Sequence, residues 1–171
     1  MCIRDSPYAE RMTEPRRRVA FLLSQLGSLS AARFADLTKA AGLSPQDAGV
    51  LRLIAGEPGM NQRELADRVG AVPSRVVVLV DSLESRGLVV RTRSESDRRN
   101  HALHLTHGGR VALAALRPIG LEHEREVLAP LTEDERARLG ELLSKLASGH
   151  GLDPEVHPGY AASPGGGARD R

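Results

Sequence analysis

Aromatic side chains are nearly absent from this sequence, which has two Phe, two Tyr and no Trp among 171 residues. Without rings to fill it, the interior must be built from Leu, Val and Ala, a set that favours helices over extensive sheet. Cysteine is missing but for Cys2, which excludes an intramolecular disulfide and argues against a thiolate metal site. No apolar run nears the roughly eighteen residues that span a bilayer. "VAFLL" is too short, and "MCIRDSPYAERM" lacks the basic-then-apolar order of a signal peptide. These absences point to a cytoplasmic protein without a membrane partner. A large excess of one charge is lacking too, since the formal net charge is only +2. Any surface for nucleic acid must therefore be local.

What is present is a series of capped, periodic segments. Apolar residues Val19, Leu22, Leu23, Leu26, Leu29, Phe34, Leu37 and Ala41 recur mostly in three- and four-residue steps. They predict one long helix over residues 15–41, with Gly27 as the place where it could bend. Ser44, Pro45 and Asp47 start a second helix that stops near Gly56, and Asn61 with Glu64 starts a short third that stops at Gly70. From Pro73 to Ser85, the positions Val76, Leu79, Val80 and Leu83 form a buried stripe. "LVVRTR" and "HALHLT" alternate as two strands joined by the polar residues 94–100. Residues 107–129 return to helix, with Pro118 expected to kink or break it. Thr132 and Glu135 cap a last helix striped by Leu139, Leu142, Leu143 and Leu146. Residues 1–14 read as a disordered or foreign extension. Residues 149–171, rich in Gly and Pro, read as a disordered tail.

The fold class that follows is mainly α with a small two- or three-stranded β wing. Helix, short capped helix, tight turn, helix and hairpin is the order of a winged helix-turn-helix, here over residues 44–106, with helices left over at both ends. A short helix braces a second, whose N-terminal side chains can reach base edges in the major groove. Ser74 and Arg75 occupy those positions. An arginine-tipped hairpin beside it can meet phosphates or a minor groove, so Arg98 and Arg99 are wing candidates with Asp97 as their organiser. Residues 61–110 hold nine arginines against six acids, a local net of +3 concentrated in the wing. A soluble charged turn would show the same composition.

The stretch "ELADRVGAVPSRVVVLVDSLESRGLVVRTRSESDRRNHALHLTHGGR" resembles the MarR family of bacterial transcriptional regulators. The resemblance rests on "DSLESRGLVVR", on Asp97-Arg98-Arg99, and on Leu105-Thr106 with the glycines Gly108 and Gly109 after His107. It covers residues 15–148 in element order and 61–110 in motif detail. It implies a homodimer on double-stranded DNA, bound to a pseudo-palindromic operator that it usually represses. The first helix (15–41) and the last two (107–148) would form the dimerisation module. Release by a small, often aromatic effector in a cleft between the modules is also implied. Two features depart from the pattern. Val77 and Val78 stand where hydroxyl or basic residues are common, and they face either DNA, against thymine methyls, or a helix contact. Pro118 interrupts a helix that is usually long.

Other constellations carry less. Six histidines invite a metal site, but His101 and His104 fall on opposite strand faces and no H-x-x-x-H pair occurs. His123 stands among Glu122, Glu124 and Glu126, a solvated helix face. Cys2 lies in a segment without a helix to activate it. No nucleophile–base set or phosphate loop appears, so neither an enzyme nor a cofactor is expected. The rival reading is a winged-helix module that binds protein instead of DNA, with Val77 and Val78 in a sticky patch.

Overall fold

In the computed structural model, which describes residues 18–93, 101–153 and 156, helix α1 spans Val19–Ala40 without interruption at Gly27. It is followed by α2 (Pro45–Gly56), α3 (Gln62–Val69), α4 (Pro73–Ser85), β1 (Val89–Arg93), β2 (His101–Leu105), α5 (His107–Val127) and α6 (Glu133–Gly149). The starts are set by side chains that take up orphan N–H groups. Reciprocal capping boxes form at Ser44–Asp47, Asn61–Glu64 and Thr132–Glu135. Backbone and hydroxyl hydrogen bonds from Thr132 hold the Glu135 carboxyl below its ordinary pKa.

The core gathers in the middle of the chain. Leu51, Ile54, Leu65, Val76, Val80, Leu83 and Leu103 are fully buried there, joining α2, α3 and α4 to the sheet. Strands β1 and β2 pair antiparallel with Arg91 opposite Leu103. The outer edge of β2 is extended by the loop before α3. Leu103 N–H donates to Met60 O at 2.8 Å, Gly59 N–H donates back to Leu103 O at 3.0 Å, and Asn61 bridges Ala102. The wing thus has two strands and a third, bridge-length edge. The terminal helices are poorly covered by contrast. Of 22 residues in α1 only Thr38 is buried, and of 17 in α6 none is.

Pro118 does not break α5, which continues through it to Val127. The proline is exposed, as is Ala114, whose carbonyl loses its partner and can turn to water. Leu116, buried, and Ile119, packed on the core, pin the helix on either side. Packing outweighs the missing hydrogen bond.

After α6 the chain turns back. Gly151 takes a left-handed φ of 66°, Leu152 N–H bonds to Ala147 O, Asp153 reaches Arg68 of α3 at 3.5 Å, and Val156 packs on the core. The start of the stretch read as tail is therefore held against the central module. Val156→Ser should lower stability by about 1 kcal/mol, a fraction of full valine burial. Asp153→Asn should do less, because both partners of that ion pair are partly exposed. Thermal melts of the two variants check the order; equal melting of Val156→Ser and wild type would mean the contact contributes nothing.

Candidate nucleic-acid interface

Helix α3 ends on Gly70, whose φ of 64° is cheap only for glycine. Ala71 N–H then closes back onto Ala66 O, and the chain enters α4 at Pro73. Val72 is the N-cap and its side chain offers no acceptor. Pro73 has no N–H and the Arg75 N–H donates to Val72 O at 3.0 Å, so the Ser74 N–H is the first-turn donor that the N-cap side chain leaves uncapped. That end of the helix keeps its partial positive charge available to an anion.

Helix α4 has two opposed faces. Val76, Val80 and Leu83 are buried to the last atom, and Leu79 is half-buried beside them. Ser74, Val77, Val78 and Asp81, at i, i+3, i+4 and i+7, form the opposite face and are all exposed. Arg75 lies between the faces, half-buried. Val77 is 40% and Val78 68% exposed, which removes the core alternative for both.

The wing is fastened to this helix by one arginine. Arg91 in β1 bonds Asp81 and Glu84 of α4 through its guanidinium, and its backbone N–H donates to Glu84 Oε1 at 3.1 Å. Burial opposes the charge, but the two carboxylates outweigh it and raise the guanidinium above its ordinary pKa. Sequence reasoning counts Arg91 among the charges of the wing. In the structure it is paired within the fold, and it offsets one of the two negative charges that would otherwise repel phosphate from α4. Separation of seven to ten residues across a strand–helix junction leaves no periodic signal for such a clamp.

A second arginine holds the other end. Arg86, the C-cap of α4, donates to Asp47 Oδ2 at 3.0 Å and to the Gly42 carbonyl at 2.6 Å. Asp47 Oδ2 also accepts the Ser44 N–H at 2.9 Å, and only 9% of its side chain is exposed. One carboxylate therefore caps α2 and secures the last turn of α4 to the chain just after α1. The link is thirty-nine residues long in sequence and has no local signature.

The wing candidates Asp97, Arg98 and Arg99 lie outside the described residues. The strands that carry them end at Arg93 and His101, both exposed. Away from the wing, α1 and α5 meet where the His123 ring touches Phe34 (centroids 5.3 Å apart) and its Nε2 lies 2.9 Å from the Ser30 carbonyl. Since a carbonyl only accepts, that nitrogen carries the hydrogen. Among the described residues no three His, Cys, Asp or Glu side chains gather to hold a metal ion, and no helix is long and apolar enough to cross a membrane.

A family model described as MarR family matches residues 41–100, the segment that holds this helix pair and the first wing strand. The transcriptional regulator HosA of Escherichia coli O127:H6 is 34% identical over 111 residues, 65% of this chain and 78% of HosA. The chain belongs to the MarR family. A Thauera aromatica protein described as the transcriptional regulatory protein for the hcr operon is 37% identical over 110 residues; the chain spans 66% of its length. Among solved structures, the MarR fold is matched by the transcriptional repressor CouR bound to a 23-mer DNA duplex. That match has a TM-score of 0.67 and 36% identity, covering 75% of this chain and 92% of CouR. CouR from Rhodococcus jostii RHA1 bound to p-coumaroyl-CoA matches with a TM-score of 0.63 and 31% identity, covering 77% and 92%. Winged-helix architecture and a regulatory role in transcription are thus common to this chain and its MarR relatives.

Proposed function

We propose that the chain acts in the cytoplasm as a homodimeric repressor, not an enzyme, which binds a pseudo-palindromic operator and is released by a small molecule. The observation that carries the reading is the exposed face of α4, locked to the wing by Arg91, to which both Asp81 and Glu84 are bonded. In it Ser74, Arg75, Val77 and Val78 contact bases in the major groove, while Arg98 and Arg99, organised by Asp97, meet phosphates or a narrow minor groove. DNA-bound CouR supports the partner.

Dimerisation is supported by what the single chain leaves uncovered. Phe21, Leu22 and Leu26 of α1 are exposed, and Val19 and Leu23 form an apolar groove with Leu142, Leu143 and Leu146 of α6. A helix with no buried residue gains little from its own chain, and a second copy supplies the missing cover. The effector part rests on CouR bound to p-coumaroyl-CoA. In this chain, Phe34 and His123 place a ring and a hydrogen-bonding group between α1 and α5.

The test separates two arginines. A guanidinium near the start of α4 can pair with guanine O6 and N7, a contact carrying about 1–3 kcal/mol of base discrimination. Arg75→Ala should therefore relax preference at one position in each half-site. Arg99→Ala should weaken binding on every sequence and reduce the slope of log affinity against log salt by about one. Titrations against duplexes selected from a random pool, and against scrambled duplexes, at several salt concentrations give both readouts. Unchanged affinity and slope in Arg99→Ala would remove the wing contact. No sequence preference in the wild type would favour a protein-binding module.

A further inference from the structure

The outward face of α4 is unusual in being apolar at its centre. Val78 and Val77 lie side by side on it, with Val72, 56% exposed, at the N-cap just before. None of these side chains can exchange a hydrogen bond with a base edge. The packing does not require them either, since the buried stripe of the same helix is complete with Val76, Val80 and Leu83. The major groove does offer one apolar group, the C5 methyl of thymine, and short branched side chains can pack against it. The surroundings select DNA over an apolar protein partner. Arg75 adjoins the strip, Arg93 is exposed at the end of β1, and the nearby acids Asp81 and Glu84 are paired with Arg91. An apolar strip bordered by cations complements a methyl-bearing groove floor between phosphate walls.

We propose that Val77 and Val78 are specificity-determining residues that read thymine methyl groups, so that each operator half-site has thymines under the middle of α4. The inference rests on the DNA-binding reading above and gives the chemistry of its target. Discrimination at those positions lies in a methyl contact, while Ser74 and Arg75 supply the polar contacts at the helix start. Replacing thymine by deoxyuridine removes only that methyl and keeps Watson–Crick pairing, so it isolates the contact.

The full chain is first used to select duplexes from a random-sequence pool. The selected duplex is then resynthesised with deoxyuridine at one thymine at a time. Affinity should fall about fourfold for each contacted methyl lost, at symmetric positions in the two half-sites. Val78→Ala or Val77→Ala should bind the thymine duplex more weakly and show no further loss on the matching uridine duplex, the signature of a direct pair. Both valines are exposed, so neither variant should change folding. If every uridine duplex binds like its parent while Arg75→Ala still alters preference, DNA binding stands and methyl reading falls. A thymine penalty that persists unchanged in both valine variants would also overturn the assignment. If no sequence is enriched at all, the DNA-binding reading fails first.

Discussion

Alanine in place of Gly109 should lower the melting temperature by roughly 2–12 °C, from an overpacking cost of about 1–3 kcal/mol. A Cβ at that position would lie 2.0 Å from the Leu88 carbonyl oxygen and 3.0 Å from its carbon. The obstacle is backbone, so no side-chain rotation relieves it, and α5 must withdraw by about 1 Å or more to restore van der Waals contact. Withdrawal strains two bonds that seat the helix. The Thr106 hydroxyl accepts the Gly109 N–H at 3.0 Å and donates to Gly87 O at 2.6 Å. Gly140→Ala is the control, because nothing lies within 4 Å of the added methyl in α6; it should be neutral or stabilising by up to about 1 kcal/mol. Scanning calorimetry of both variants decides the matter. A Gly109→Ala protein that melts like the wild type would contradict the seating of α5 on Leu88.

The largest functional loss should follow from aspartates at both Leu142 and Leu146. These leucines stand four apart on α6 and are each 47% exposed in the single chain. A pair of charges there cannot be buried against a second copy without a heavy desolvation cost. The variant should sediment as a monomer, with its helical circular dichroism largely kept because α6 contributes nothing to the core. A monomer holds one half-site at a time, so operator affinity should fall about 10²–10⁴-fold through lost avidity. Sedimentation equilibrium and operator titration are read together. A variant that remains dimeric would show that the interface lies elsewhere. A variant that becomes monomeric yet binds with full affinity would show that dimerisation is not used on DNA.

Local physics was legible in the sequence wherever it decided the outcome. The three boxes at Ser44, Asn61 and Thr132 form as their spacing implies, and Val76, Val80 and Leu83 are buried as their stripe predicts. Helix α5 differs because proline's local penalty at Pro118 competes with tertiary packing through Leu116 and Ile119, which no single stretch displays. The ion pairs were illegible for a related reason. Arg91 and Arg86 read as surface charge in the sequence, and only the fold brings them to Glu84 and Asp47. Gly109 stood in the sequence as a motif letter, and its reason lies in Leu88, twenty-one residues away.

The anchoring of α4 at Arg86 has a mechanical consequence. From Arg86 to Ser74 the helix axis runs about 18 Å, at 1.5 Å per residue. A rotation of roughly 10° about the anchored end would therefore carry Ser74 sideways by about 3 Å, as far as a hydrogen bond is long. The guanidinium that sets this angle grips the first residues after α1. A shift of α1 passed on through this bond would tilt α4 at its pivot, and the displacement would be largest at the Ser74 end. If Ser74 and Arg75 read bases as proposed, a tilt of roughly 10° at this pivot would be enough to break those contacts.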